Sequence, residues 1–169
     1  MREVAQLALQ TSHGSLATLL LRPWAIGLMR ERLDTGEPSP GAPAAVYDGI
    51  VEDLWLGEQQ EAACLILRRW WERSSARLQA ARAALAREAL AAPGDVALQA
   101  EVADGLEALQ RLYPTEAAAA ILVVHTSLLT SAQLTAVHLA SFPWQPHLTG
   151  FLDAIERRRA ARDGGGAGR

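Results

Sequence analysis

From Ala117 to Leu152 the chain reads AAAAILVVHTSLLTSAQLTAVHLASFPWQPHLTGFL, 36 consecutive positions without Asp, Glu, Lys or Arg in a protein that is 21% charged. Its first part, to Phe142, holds neither Pro nor Gly. Thr115 and Glu116 stand just before it, a hydroxyl to cap and an acid for the first turn. The pattern predicts one long central helix over about 115–142, buried on most sides.

Laid on a helical wheel, Ala118, Ile121, Leu122, His125, Leu128, Leu129, Ala132, Ala136 and Leu139 share the apolar face. Thr126, Ser127, Thr130, Ser131, Gln133, Val137, His138 and Ser141 lie across the other. An outer helix face normally carries charge, and this one carries hydroxyls, an amide and a valine. Thr126, Thr130, Gln133 and Val137 are therefore expected to meet another surface. A membrane span is not expected, because His125, Thr126, Ser127, Thr130, Ser131, Gln133 and Thr135 all fall in the window Ala117–Ala136.

The remaining sequence also reads as helix. Alanine and leucine dominate and β-branched residues are sparse, which favours helix over strand. Residues 3–33 follow helical spacing, with a kink expected near Pro23. Residues 34–43, DTGEPSPGAP, are a mobile surface loop on composition. Residues 44–92 form the longest helical candidate, with Gly49, Gly57 and Ser74-Ser75 as weak points. A turn at 92–95 leads to a helix capped by Asp95, which Pro114 is expected to end, so the two make an αα-hairpin. Pro143 to Pro146 force a corner, and residues 148–162 form a last helix. The expectation is an all-α bundle of five or six helices, one domain over 1–162, with a disordered tail at 163–169.

Charge comes in blocks. Residues 34–61 hold seven acids and no base, 68–87 hold six arginines against Glu72, and 88–116 hold six acids against Arg111. Such alternation implies helices that pair with one another or with a partner. Spacing puts Arg69, Arg73 and Arg77 on one face, and Glu72 pairs with Arg68 at i, i+4. The cluster Arg68, Arg69, Arg73 and Arg77 beside Trp70 and Trp71 is the candidate basic patch, able to contact phosphates and stack on bases. Adjacent Trp70 and Trp71 point about 100° apart, so one is expected to face a second layer or a partner, and both are candidate interface residues. Trp144, between two prolines, is read the same way.

No enzyme signature is present. The serines and Cys64 lack a nucleophile context, and no glycine loop cradles phosphate. The four histidines lack ligand spacing; His125 and His138, 13 apart on one helix, would point to different faces. Neither a metal site nor a cofactor is expected. The sole cysteine permits no internal disulfide, which suggests a reducing compartment such as the cytoplasm. The expected function is a protein-interaction module with a protein partner or self-association: an adaptor, a chaperone or a small subunit. The alternatives are an apolar ligand held in the interior near His125, and nucleic-acid contact through residues 68–87.

Overall fold

The computed structural model describes residues 32–165. The helix expected over 3–33 and its kink at Pro23 lie outside that range, apart from residues 32 and 33. Among the described residues there are five helices and no strand: α1 (Ala44–Asp53), α2 (Glu58–Ala91), α3 (Val96–Val123), α4 (Ser131–Ser141) and α5 (Leu148–Gly165). A π-helical turn, Val124–Leu128, continues α3. The protein is an all-α bundle, as the composition implies.

Helix α1 begins after Pro43 and buries Tyr47, Ile50 and Val51 at i, i+3 and i+4. The single helix expected over 44–92 is in fact two. The chain breaks at residues 54–57, where Trp55 adopts a left-handed φ of 49°. The break turns Leu54 and Leu56 both inward, which a continuous helix could not do for residues two apart. Gly57 then leads into α2, its N–H bonded to Gln60 Oε1 at 3.0 Å. Helix α2 runs 34 residues, about 51 Å at 1.5 Å per residue, unbroken through Ser74-Ser75. It buries Glu61, Cys64, Leu67, Trp71, Ser74 and Leu78, one seam at steps of three and four.

Helix α3 starts where expected, with Asp95 Oδ1 accepting from Leu98 N at 3.1 Å. It does not stop at Pro114, which is buried inside it. The missing proline N–H weakens the helix there, but packing on α2 holds it together on both sides. Glu116 is buried against Ser74 and Arg77 of α2. Thr115 caps nothing; its hydroxyl donates back to Arg111 O at 3.1 Å.

The expected helix over 115–142 is therefore divided. Its first nine residues belong to α3, the π-helical turn follows, and Leu129 is extended before Thr130 caps α4. Thr130 Oγ1 accepts from Gln133 N, and Gln133 Oε1 accepts from Thr130 N, a capping box. The corner after α4 carries a cis Phe142–Pro143 bond. Helix α5 buries Phe151, Leu152, Ala154 and Ile155, and it reaches Gly165, so residues 163–165 are not tail.

One core joins these elements: α1, the first half of α2, the last turns of α3 with the π-helical turn, α4 and α5. The charge blocks meet around it. Glu61, 1% exposed, faces Arg158 and Arg162 of α5, and Arg157 reaches Asp48 on α1. Beyond Trp71 the α2–α3 hairpin continues on a thinner seam, where Gly105 lets α3 approach Leu85.

Candidate interaction surface

Four arginines were grouped by sequence as a patch, and the fold separates them. Arg68 is taken up by three carboxylates, each at 2.9 Å: Glu72 on its own helix, and Asp153 and Glu156 on α5. Arg77 pairs with Glu116 at 2.5 Å. Arg69 and Arg73 meet no acid among the described residues. Their Nε atoms donate to Leu65 O and Arg69 O, one turn back on the same helix, at 3.3 and 3.2 Å. Such bonds only shadow carbonyls that the helix already uses, so both guanidiniums keep most of their donors for another group.

Spacing sets Ile66, Arg69, Trp70 and Arg73 at i, i+3, i+4 and i+7, which is one face of α2. Ile66 is 60% exposed and Trp70 37%. The surface is thus a short strip in which two apolar side chains alternate with two open arginines. Trp and Arg are the residue types most enriched at binding hot spots.

The paired tryptophans divide as their angular separation requires. Trp71 is buried, its ring 5.8 Å from that of Tyr113, so it belongs to the core and not to an interface. Trp144 is half-buried, with the Arg32 guanidinium 5.6 Å from its ring centroid. Trp55, 87% exposed, was not singled out by the sequence reading. The helix break that exposes it was signalled only by Gly57.

The second candidate surface, on the uncharged stretch, is largely interior. Val137 is buried. Gln133 is held between helices, donating to Leu54 O at 3.2 Å and accepting from Gln60 Nε2 at 2.9 Å. Gln60 Nε2 also donates to Leu128 O at 2.8 Å. Thr130 is a cap. Thr126 lies on the surface, its hydroxyl spent on Leu122 O at 2.8 Å.

The two wheel faces are exchanged along α4. Leu134, Val137 and Ser141 point inward, whereas Ala132, Ala136 and Leu139, assigned to the buried side, are exposed. The π-helical turn and the break at Leu129 reset the phase. The same break brings His125 and His138 together, with ring centroids 5.9 Å apart, where a single helix would have sent them to different faces. His138 Nδ1 sits 2.8 Å from Leu134 O, an acceptor, so that nitrogen carries the proton. His125 Nδ1 is buried with no hydrogen-bond partner among the described residues. Burial, then the neighbouring His138, pushes the His125 pKa down to about 4.

Among the described residues no three His, Cys, Asp or Glu side chains converge as metal ligands. Cys64 is fully buried, and burial together with Glu61 pushes its thiol up to about 11. The thiolate that nucleophilic attack needs is thereby disfavoured. A cleft of about 320 Å³ lies between α2 and the start of α5, lined by Arg68, Glu72 and Asp153 as well as Trp71 and Leu152. It is ringed by charge and His125 does not line it, so this cleft is not the apolar interior site of the alternative reading. No helix among the described residues is long and apolar enough to cross a membrane. No protein-family model, no curated protein and no solved structure matches this chain.

Proposed function

We propose that this chain is a non-catalytic protein-interaction module (an adaptor, a chaperone or the small subunit of an assembly) that docks an acidic protein surface on the Ile66–Arg73 strip. One observation carries the reading. Among the described residues Arg69 and Arg73 have no acidic partner, although on the same helix Arg68 holds three and Arg77 one. Exposed Ile66 and Trp70 alternate with them along the same helix face. A partner that offers carboxylates around an apolar centre satisfies both halves of that strip.

A protein fits better than a nucleic acid. The chain has a net charge of −3, and two open arginines neutralise few phosphates, whereas backbone binding draws its affinity from many such contacts. A cytoplasmic setting accompanies this reading, supported by a single, buried cysteine.

The test is a photo-crosslinking residue placed at Ile66 in the full chain inside its native cell, with a second placed at exposed Glu101 as control. A discrete adduct is expected at position 66 alone, lost when Arg69→Glu and Arg73→Glu are introduced together. The partner's contact region, mapped by mass spectrometry, should be acidic. Equal crosslinking at both positions would sink the proposal, and a nuclease-sensitive adduct would transfer the strip to nucleic acid.

A further inference from the structure

The outer face of α2 is polarised in charge, and the polarity gives the open strip a complement on the same helix. Glu58, Ala62, Ile66, Arg69, Trp70 and Arg73 stand at i, i+4, i+8, i+11, i+12 and i+15, which is one face, and all six are exposed. The face lies opposite the seam that buries Cys64, Leu67 and Trp71. Its N-terminal end is acidic. Glu58 meets no base among the described residues, and exposed Glu52 and Asp53 stand just before the break that carries Trp55. Its far end is basic, with Arg69 and Arg73 open, and Ile66 sits midway between Glu58 and Arg73.

Within one chain Glu58 and Arg73 stay about 22 Å apart along a rigid helix, so they never satisfy one another. Between two chains they can. Antiparallel pairing of two such faces, about a two-fold axis between Leu65 and Ile66, sets Glu58 of each copy opposite Arg73 of the other, and symmetry makes that contact twice. Arg69 then stands across from Ala62, whose small side chain leaves room for the neighbouring Trp70 ring. The two Ile66 side chains meet at the axis. A parallel pairing would set Glu58 against Glu58 and Arg73 against Arg73, which like charges oppose. The pattern therefore selects both a partner and a polarity.

We propose that two copies of this chain pair antiparallel through the outer faces of α2, each giving its acidic end to the Arg69–Arg73 end of the other. This rests on the interaction-module reading and names the acidic partner of the strip as a second copy. The shared seam, residues 58–73, runs about 24 Å and falls short of the roughly 1,000 Å² of a permanent interface. The dimer is accordingly a reversible one between folded chains.

Charge reversal, read by sedimentation equilibrium of the full chain, tests it. The native chain is expected to dimerise, and Glu58→Arg or Arg73→Glu alone should weaken the dimer at least about tenfold, because each sets like charges together at two symmetric places. Both reversals in one chain should recover the native affinity to within about threefold, and that recovery also shows that neither change acts by unfolding. An equimolar mixture of the two single variants should form a heterodimer, since their charges are then complementary. Dimerisation that ignores the single reversals, or a double reversal no better than either one, overturns the pairing. So does a native chain that stays monomeric up to about 1 mM. In that case the photo-crosslink at Ile66 separates the two readings: an adduct with a different, acidic protein removes the self-pairing alone, and no adduct removes both.

Discussion

Gly150, in the first turn of α5, faces the ring of Tyr47, and a single added methyl tests how α1 and α5 pack. A Cβ at position 150 would lie 2.5 Å from Tyr47 Cε2 and 2.8 Å from Cδ2 and Cζ, where ordinary contact begins near 3.4 Å. The ring would have to retreat by about 1 Å, and interiors at this packing density have little slack. Tyr47 is 3% exposed, and its hydroxyl accepts from His147 N at 2.8 Å. Overpacking of this kind costs about 1–3 kcal/mol. Losing the tyrosine hydrogen bond adds about 1 kcal/mol. Replacing a helical glycine returns at most about 1 kcal/mol. The net expectation for Gly150→Ala is a loss of about 1–3 kcal/mol, read from urea unfolding followed by circular dichroism at 25 °C. In a Tyr47→Leu background the methyl has room. There the same change should be neutral or stabilising, a coupling of about 2 kcal/mol between the two sites. A neutral Gly150→Ala in the native background, or strictly additive effects, would refute this account of the α1–α5 contact.

Glu61→Ala breaks a buried ion cluster and should cost about 2–3 kcal/mol, whereas Arg157→Ala, at the exposed pair with Asp48, should cost under about 1 kcal/mol. Equal losses in urea unfolding would show that burial is not what distinguishes them. Gln133→Ala removes a cap and two interhelical bonds and should cost about 2 kcal/mol, with Thr130→Ala nearer 1 kcal/mol; the same titration measures both. His125 is held neutral, its pKa lowered to about 4, so between pH 6.5 and 4 the unfolded chain binds a proton that the folded one refuses. That stability is full above pH 6.5 and is lost as pH falls towards 4, so the native protein should lose about 3 kcal/mol more than His125→Leu between pH 7 and pH 4; parallel pH profiles of the two would contradict this. Arg69→Glu with Arg73→Glu should shift stability by no more than about 0.5 kcal/mol, as both side chains are solvated; a large loss would mean the strip is structural.

The parts of this fold legible in the sequence are those that depend on composition and on uninterrupted periodicity. The all-α class, the α2–α3 hairpin with its Asp95 cap, and the Arg68–Glu72 pair are of that kind. What escaped depends on phase. Each residue advances a helix by about 100°, so an irregularity of one or two residues rotates every later position onto another face. The π-helical turn and extended Leu129 do this, which is why Ala132, Ala136 and Leu139 face solvent while Val137 is buried. A signal for the restart is present in Thr130 and Gln133, spaced as a capping box, but in an uncharged run the same two residues also fit a polar stripe. Pro114 failed as a stop signal for the opposite reason. Local propensity there costs about 3 kcal/mol, and the contacts of Pro114, Glu116, Ala118 and Ala120 against the rest of the bundle outweigh it. Pairing of charge blocks was foreseeable, but which arginines would be left unpaired was not. That depends on α5 folding back so that Asp153 and Glu156 reach Arg68 and leave Arg69, one position along, with only its own helix among the described residues. The open strip on α2 is thus set by the crossing of two helices 85 residues apart in sequence, and no local pattern around residues 66–73 encodes it.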